Sequence, residues 1–553
     1  MKVKKTKDFQ GIGVKLIAIS RMNEKNNSAC RLVSIYSENT NGCIESVIPN
    51  VALANKNEVM KIVLKAGYPP SLLANNKELI YEEVIKSVSV YFMLCNSPGF
   101  NCGVYLRADD RIVGEIKGDK PVLNPFAKNH FPKEVKQRTL KEWKEQVASL
   151  AGYSSRLMLA VCCGFTGPLL KIVNMEGGGF HLWGTSSMGK SSSAEMMASI
   201  AGRPSDIVTL WSNTDKGLEE IAVAHNDSTL ILDESKLLDK DPVSAARIMQ
   251  NRVYTLSGGK GKLRSALYEN NVPEWRVGVF STGELSLAQH AEAGNIERLN
   301  GENVRVIDVP ADAGCGLGIF ERLPAGSNSG NELANDIKRV TRCYYGSAKP
   351  RFLAKLVADL QSDPEELKAL IESEMDYFIE KHGVDMNSGI DMRIASRFAL
   401  AYAAGFIASK YKVFPFRPRV ILEAISKCYL DSVANQCNPL LKITEMLPNA
   451  LMKVMASDEL LDLSKSSAED ARNEMAIIHF IKKTQVIAVK KNFVHNLISL
   501  QARKNIFPKM TSGGLMLSDS QKPFSTIQIK HVDGSYERRY CFVLSEINKL
   551  IVD

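Results

Sequence analysis

One stretch of the chain has residue types and spacing suited to phosphate chemistry: Gly184-Thr185-Ser186-Ser187-Met188-Gly189-Lys190-Ser191, which reads G-x-x-x-x-G-K-[ST]. Loops of this kind wrap backbone N–H groups around a polyphosphate. Gly184 and Gly189 let the backbone curl close to it. Lys190 is placed to reach the β- and γ-phosphates, and the Ser191 hydroxyl to bind Mg²⁺. Ser192 extends the binding segment by one residue. The expected ligands are ATP and Mg²⁺. A second group is Asp233 and Glu234, which end the β-prone run 229–232. Asp233 can hold the Mg²⁺ shell, and Glu234 can orient and polarise the attacking water. A third is Ser281-Thr282, at the end of the apolar run 277–280. A polar side chain there can sit between the acids and the γ-phosphate, the sensor-1 position. Thr282 is the first choice and Ser281 the second.

These residues need a scaffold, and the pattern around them supplies one. Residues 180–183 read as a buried strand and 191–201 as a helix, so the loop opens a helix whose positive end faces the phosphates. Residues 207–211 read as a strand, 217–225 as a helix, 228–232 as a strand carrying the acids, and 275–282 as another strand. The expectation is an α/β core with a parallel sheet flanked by helices. Between the last two strands, residues 254–264 hold Gly258, Gly259 and Gly261 with the cations Lys260, Lys262 and Arg264. This reads either as a β-hairpin whose basic tip touches a phosphate backbone or as a solvated basic loop. Arg305 opens the alternation Val304, Val306, Ile307, Val309. From there it can point toward a neighbouring subunit's γ-phosphate. Arg298 competes for that role, and a surface salt bridge would account for either.

The chain has 553 residues, enough for three or four domains. Its formal net charge of +9 permits a nucleic-acid partner without requiring one. The 11 cysteines show no C-x-x-C pair and no ligand-spaced histidines, which points to a reducing, cytoplasmic setting and no zinc. There is no apolar signal core at the start and no run of about 20 apolar residues, so no membrane span is expected. Residues 1–135 read as an N-terminal α+β domain, 136–325 as the ATPase core, 326–465 as a helical region and 466–553 as a basic C-terminal domain. Asp109-Asp110 precedes Arg111 in what reads as a solvated turn. In the last domain, 471–483 and 492–504 read as amphipathic helices, and 526–530 with 539–544 as a hairpin. Helix, helix, hairpin is the order of a winged helix. The region would hold duplex DNA or simply close the fold.

Six segments carry a closer likeness: 177–191, 211–219, 225–234, 257–262, 275–284 and 304–313. Together they resemble the domain-of-unknown-function 927 (DUF927) family, described as ATPases of plasmids, prophages and genomic islands and as primase-associated helicases. The core of that family resembles the AAA+ ATPases, with kinship to MCM-like and superfamily 3 helicases. The likeness runs from about residue 100 to 430. It implies that Lys190 and Ser191 are Walker A, Asp233 and Glu234 Walker B, Thr282 sensor 1 and Arg305 a finger acting in trans. It also implies that Lys260 and Lys262 line a central pore. Arg397 would be a sensor-2 contact to nucleotide, with Arg393 fitting almost as well. No zinc ribbon, TOPRIM-type acidic cluster or polymerase motif accompanies the core, so a primase or polymerase would be a separate partner.

The reading that joins these features is an ATP-dependent DNA translocase or helicase of a mobile genetic element. It would form a homo-oligomeric, hexameric ring on single-stranded or forked DNA and hydrolyse ATP between subunits during replication. The rivals are an NTP-hydrolysing switch or antiphage-defence ATPase that unwinds nothing, and an origin-binding or loader protein.

Overall fold

Five parallel strands run side by side through the middle of the chain: β1 (Gly178–Trp183), β2 (Thr209–Leu210), β3 (Ser228–Asp233), β4 (Val277–Gly283) and β5 (Val306–Pro310). Their order in the sheet is β2-β3-β4-β1-β5. The computed structural model that shows this describes residues 11–21, 29–124, 131–235, 238–239, 241–262, 272–296, 298, 300–436, 451, 460–462, 475–497, 503, 507, 510–519, 526–530 and 535–547. Arg264 and most of the apolar stretch 440–463 lie outside the described residues.

The strands are short, apolar and covered on both faces, as parallel strands must be. On one face, α2 (Asp215–Ala224) and α3 (Pro242–Gly258) bury Leu218, Ile221, Met249, Val253 and Leu256 against Leu230, Leu232, Val277 and Val279. On the other lie α1 (Lys190–Ala198) and the helices Ser155–Cys163 and Thr166–Ile172. A Cβ on Gly167 would stand 2.2 Å from the Ser228 carbonyl carbon, so only glycine permits this helix to approach the start of β3. The apolarity of Ser155–Cys163, every residue of which is buried, is therefore that of a core helix. Among the described residues no single helix is long and apolar enough to cross a membrane.

Before the core, a five-stranded sheet runs in the order Gly42–Pro49, Cys30–Ser37, Val14–Ser20, Tyr91–Cys95, Lys120–Leu123. Helices Lys56–Lys65 and Pro70–Ile85 belong to this part. A small meander, Gly99–Asn101, Val104–Leu106 and Ile112–Val113, meets the turn before β3. There the Phe100 N–H donates to Asp227 Oδ2 (3.0 Å) and the Tyr105 hydroxyl to the Asp227 carbonyl (3.0 Å). After the core come α4 (Gly330–Thr341), α5 (Ala348–Ser362), Pro364–Lys381, α6 (Gly389–Lys410) and Pro418–Gln436. Residues 1–240, 248–287 and 299–430 form one compact unit, and 241–247, 288–298 and 431–553 a second.

The second unit departs from the winged-helix expectation. It holds a six-stranded sheet of Leu460–Asp462, Ala476–Ile481, Thr484–Lys490, Met516–Leu517, Ile527–Lys530 and Tyr536–Val543, and the helix Lys491–Leu497 follows its third strand. The segment expected as a helix over 471–483 is instead a strand from Ala476, paired antiparallel with Thr484–Lys490. Ile477, Ile478, Val486, Ile487 and Val489 are β-branched, and the sheet buries most of them. Residues 254–258 also differ from expectation: they are the last turns of α3 rather than part of a hairpin.

Candidate functional site

Parallel strands end on a common edge, and the carboxyl edge of this sheet gathers the loop, the two acids and the Ser-Thr pair. β1 delivers the 184–191 loop, and α1 begins at Lys190. Gly189 has φ 94°, and a Cβ there would press on Ile319 at 3.0 Å. The first amides of α1 have no carbonyl one turn back, so they are free to meet an anion at the loop. The Lys190 ammonium donates to the carbonyls of Gly184 (2.7 Å) and Thr185 (2.6 Å). Burial lowers its pKa, while Glu284 and Asp233 nearby pull the other way. Ser186 donates to Glu284 Oε1 at 2.5 Å.

β3 ends on Asp233, whose Oδ1 accepts from the Thr282 hydroxyl and from the Glu234 N–H (3.1 Å). Glu234 turns out of the strand with φ 59°, a left-handed conformation that strains a non-glycine residue, and is exposed. The neighbouring Ser281 faces elsewhere. Trp211 Nε1–H donates to its hydroxyl oxygen (2.8 Å), and the hydroxyl lies 2.8 Å from His181 Nδ1. His181 Nε2 lies 2.9 Å from the Leu285 carbonyl, which can only accept. That fixes the tautomer: Nε2 carries the proton, and Nδ1 accepts from Ser281. Ser281 is thus committed to a buried relay, and Thr282 is the hydroxyl that meets the acid.

Beside the loop is a cleft of about 430 Å³. One wall is residues 187–192. The other is α4, through Asn331, Ala334, Asn335 and Lys338. Ser191 lies in this cleft, and its hydroxyl and the Asp233 carboxylate are hard oxygen donors of the kind Mg²⁺ takes alongside phosphate. Sequence reasoning did not single out α4, Glu284 or the His181–Ser281–Trp211 relay. The first had a signal: Asn331, Asn335 and Lys338 are spaced i, i+4, i+7 between the buried Leu333, Ala334, Ile337 and Val340.

The remaining expected residues lie away from the loop. Arg397, on α6, is buried, and its two Nη groups donate to the carbonyls of Glu176 (2.6 Å) and Gly177 (2.7 Å). Those carbonyls precede β1, and the loop follows it, so a strand of about 20 Å separates them. The nucleotide-contact role expected of Arg397 does not fit this position. Burial holds its pKa down to about 10. Arg393 is exposed on the same helix. Arg305 also stands at the amino edge. Its carbonyl accepts from Gly179 N–H (2.8 Å), its Nη1 donates to the Gly301 carbonyl (2.7 Å), and its guanidinium lies 4.8 Å from the centre of the Tyr254 ring. Beyond α3 the chain leaves and returns as a pair. Trp275 N–H donates to the Gly259 carbonyl (2.9 Å), Gly261 N–H to the Pro273 carbonyl (2.8 Å), and Lys260 bridges Glu274 antiparallel. Lys260 lies 3.6 Å from Glu274, and Lys262 lies 3.7 Å from Asp215.

No curated protein matches the chain. A solved structure described as "SCCmec type IV Cch - active helicase" shares the fold, with TM-score 0.60, 15% identity, and 97% of this chain and 94% of that one covered. The apo A form of the NrS-1 C-terminal region (TM-score 0.25, 11% identity, 76% and 92% covered) and NtrX from Brucella abortus in complex with ATP (0.19, 13%, 61% and 86%) are too dissimilar to inform the fold. The family match spans residues 15–272, so it takes in the N-terminal sheet, which the motifs had left out, and stops short of Thr282, Arg305 and Arg397. Over that stretch the chain matches the family described as Domain of unknown function (DUF927), the one its loop and acid segments resemble.

Proposed function

We propose that this chain is an ATP hydrolase working as a ring-forming DNA translocase or helicase of a mobile genetic element. The observation that carries the hydrolase reading is the hydrogen bond from Thr282 to Asp233 at the strand ends beside the 184–191 loop. In this reading the core is AAA+-like, and the loop with Ser192 binds the phosphates of ATP. Lys190 leaves the Gly184 and Thr185 carbonyls for the β- and γ-phosphates. Mg²⁺ held by Ser191 and Asp233 would supply charge neutralisation at the phosphate oxygens. Glu234 orients and polarises water, and Thr282 holds Asp233 in register. The first two domain limits are placed at residues 135 and 325, and the expected third, at 465, moves to about 430, because strand Leu460–Asp462 pairs with Ala476–Ile481. Arg305, or Arg298 in its place, completes a neighbour's site in a ring, and Lys260 and Lys262 line a central pore that takes DNA.

One observation favours the switch as a second reading. Lys260 and Lys262 already have acidic partners within the chain. The deciding experiment is the ATPase rate with and without single-stranded DNA, wild type beside Glu234→Gln, with mass photometry on the same samples. A rate that rises with DNA, vanishes in the variant and accompanies a ring-sized species supports the motor. A rate indifferent to DNA, or a monomer with ATP and DNA both present, overturns the motor and favours the switch.

A further inference from the structure

The cleft beside the loop has two walls, and the loop motif accounts for one of them. Among its lining residues the cations are Lys190 and Lys338, and none is acidic. A cleft with two ammonium groups and no carboxylate in its lining suits an anion, and its volume of about 430 Å³ is that of a small-molecule site. We infer that the polar face of α4 is the second wall of a nucleoside-triphosphate site, with Lys338 the second cation on its phosphates. This rests on the reading that the 184–191 loop binds ATP.

The wall is held in place. Ser192, two residues past Lys190, is buried and donates to the Ala334 carbonyl (3.0 Å). Thr341 reaches Glu195 Oε2 (3.4 Å) further along both helices. The chain entering α4 is tied to the loop as well, since Ile319 N–H donates to the Met188 carbonyl (3.0 Å). Ser329 caps the helix by accepting from Glu332 N–H (3.2 Å). The buried side of α4 (Leu333, Ala334, Ile337, Val340, Thr341) leaves Asn331, Asn335 and Lys338 on the cleft. Their spacing of four and three residues puts them on one face. Burial raises the Glu195 carboxyl pKa while Lys338 and Arg342 oppose the shift, and Glu284 and Asp233 act on Lys190. Lys338 is half-buried, so it meets a ligand with less water between them than a surface lysine would. Arg397 lies at the far end of β1 and cannot serve here. Asn331 and Asn335 add amide donors and acceptors along the same wall.

The test is binding of fluorescent ATP, ADP and AMP analogues to the full chain, for wild type, Lys338→Ala, Lys338→Arg and Lys190→Ala. Thermal melting without nucleotide establishes that each variant is folded. Lys338→Ala is expected to bind ATP about tenfold more weakly, the size of one hydrogen bond to a charged group. The loss should shrink from ATP to AMP, and Lys338→Arg should recover most of it. If Lys190→Ala abolishes binding while Lys338→Ala stays within twofold of wild type for ATP, the inference falls and the loop reading survives. If folded wild type binds no ATP, both fall.

Discussion

β3 carries charge at both ends, and the two ends treat it in opposite ways. At the amino end, Ser228 accepts a hydrogen bond from Lys349 (2.7 Å), and Lys349 also meets Glu134 (2.5 Å). Arg107 closes on the same carboxylate (3.3 Å), and all three charged side chains are buried. Burial alone would raise the Glu134 pKa, but Lys349 and Arg107 hold it below the ordinary range. At the carboxyl end, Asp233 is half-buried, Glu234 is exposed and in a strained conformation, and Lys190 donates to carbonyls of its own loop. Charge locked to buried partners serves the fold. Charge held by weak, local and replaceable partners is available to a ligand. Substitutions at the two ends should therefore separate stability from chemistry.

The largest effect is expected at the open end. Glu234→Gln keeps the shape and removes the base, so single-turnover hydrolysis should fall by about 10²- to 10⁴-fold. Binding of the fluorescent ATP analogue should persist. Hydrolysis within tenfold of wild type would mean that the chemistry of this edge has been assigned to the wrong acid. At the closed end, Glu134→Ala leaves buried Lys349 without a carboxylate and Arg107 with Asp109 alone (3.1 Å). The expected cost is about 3–5 kcal/mol of stability in denaturant titration. Nucleotide affinity of the fraction that remains folded should not change. A Glu134→Ala protein as stable as wild type would break the contrast between the two ends.

The closed end also carries a pH signature. His225 sits beside this cluster, fully buried, with Nδ1–H donating to the Ile221 carbonyl (2.8 Å) and Nε2 buried without a partner. Burial lowers its pKa to about 4, and Lys349 adds to the shift against a smaller pull from Glu134. Its folded pKa is below its unfolded value of about 6.5, so between those values the unfolded chain holds more protons. The stabilisation is complete above about pH 6.5 and is lost as pH falls through about 4, a change of about 3 kcal/mol. His225→Phe should flatten the stability–pH profile by that amount relative to wild type. Parallel profiles would show that the imidazole is solvated after all.

How far the sequence could foretell this contrast depended on locality. That the loop, Asp233 with Glu234, and Thr282 come to one edge could be read because each is a short contiguous pattern at a strand end, and parallel strands must share an edge. The sequence ranked Thr282 above Ser281 without a physical reason, and the reason lies in Trp211 and His181, which engage the Ser281 hydroxyl. α4 has the spacing of an amphipathic helix, but no local pattern tells its polar face from a solvated one, and only the fold sets it against the loop. The C-terminal strand from Ala476 was misread because a short apolar run fits helical and extended periods alike. Arg397 failed for a different reason. A resemblance gave it a role, whereas its end of the sheet follows from how α6 packs, and no local spacing encodes that.

Arg397 therefore gives the finest test of the contrast. Its guanidinium spans two carbonyls ahead of β1 with no acidic partner at hydrogen-bond distance among the described residues. Arg397→Met keeps the length of the side chain and removes both bonds. Hydrogen bonds from a charged group to buried acceptors are worth about 1.5–3 kcal/mol, and part of this is recovered because an ion no longer has to be buried. The expected loss is about 1–2 kcal/mol of stability, seen as a lower urea midpoint with an unchanged slope. ATP affinity should stay within twofold. A tenfold loss of ATP affinity with the urea midpoint unmoved would mean that the amino edge senses nucleotide through β1, and the division between a closed end and an open end would no longer hold.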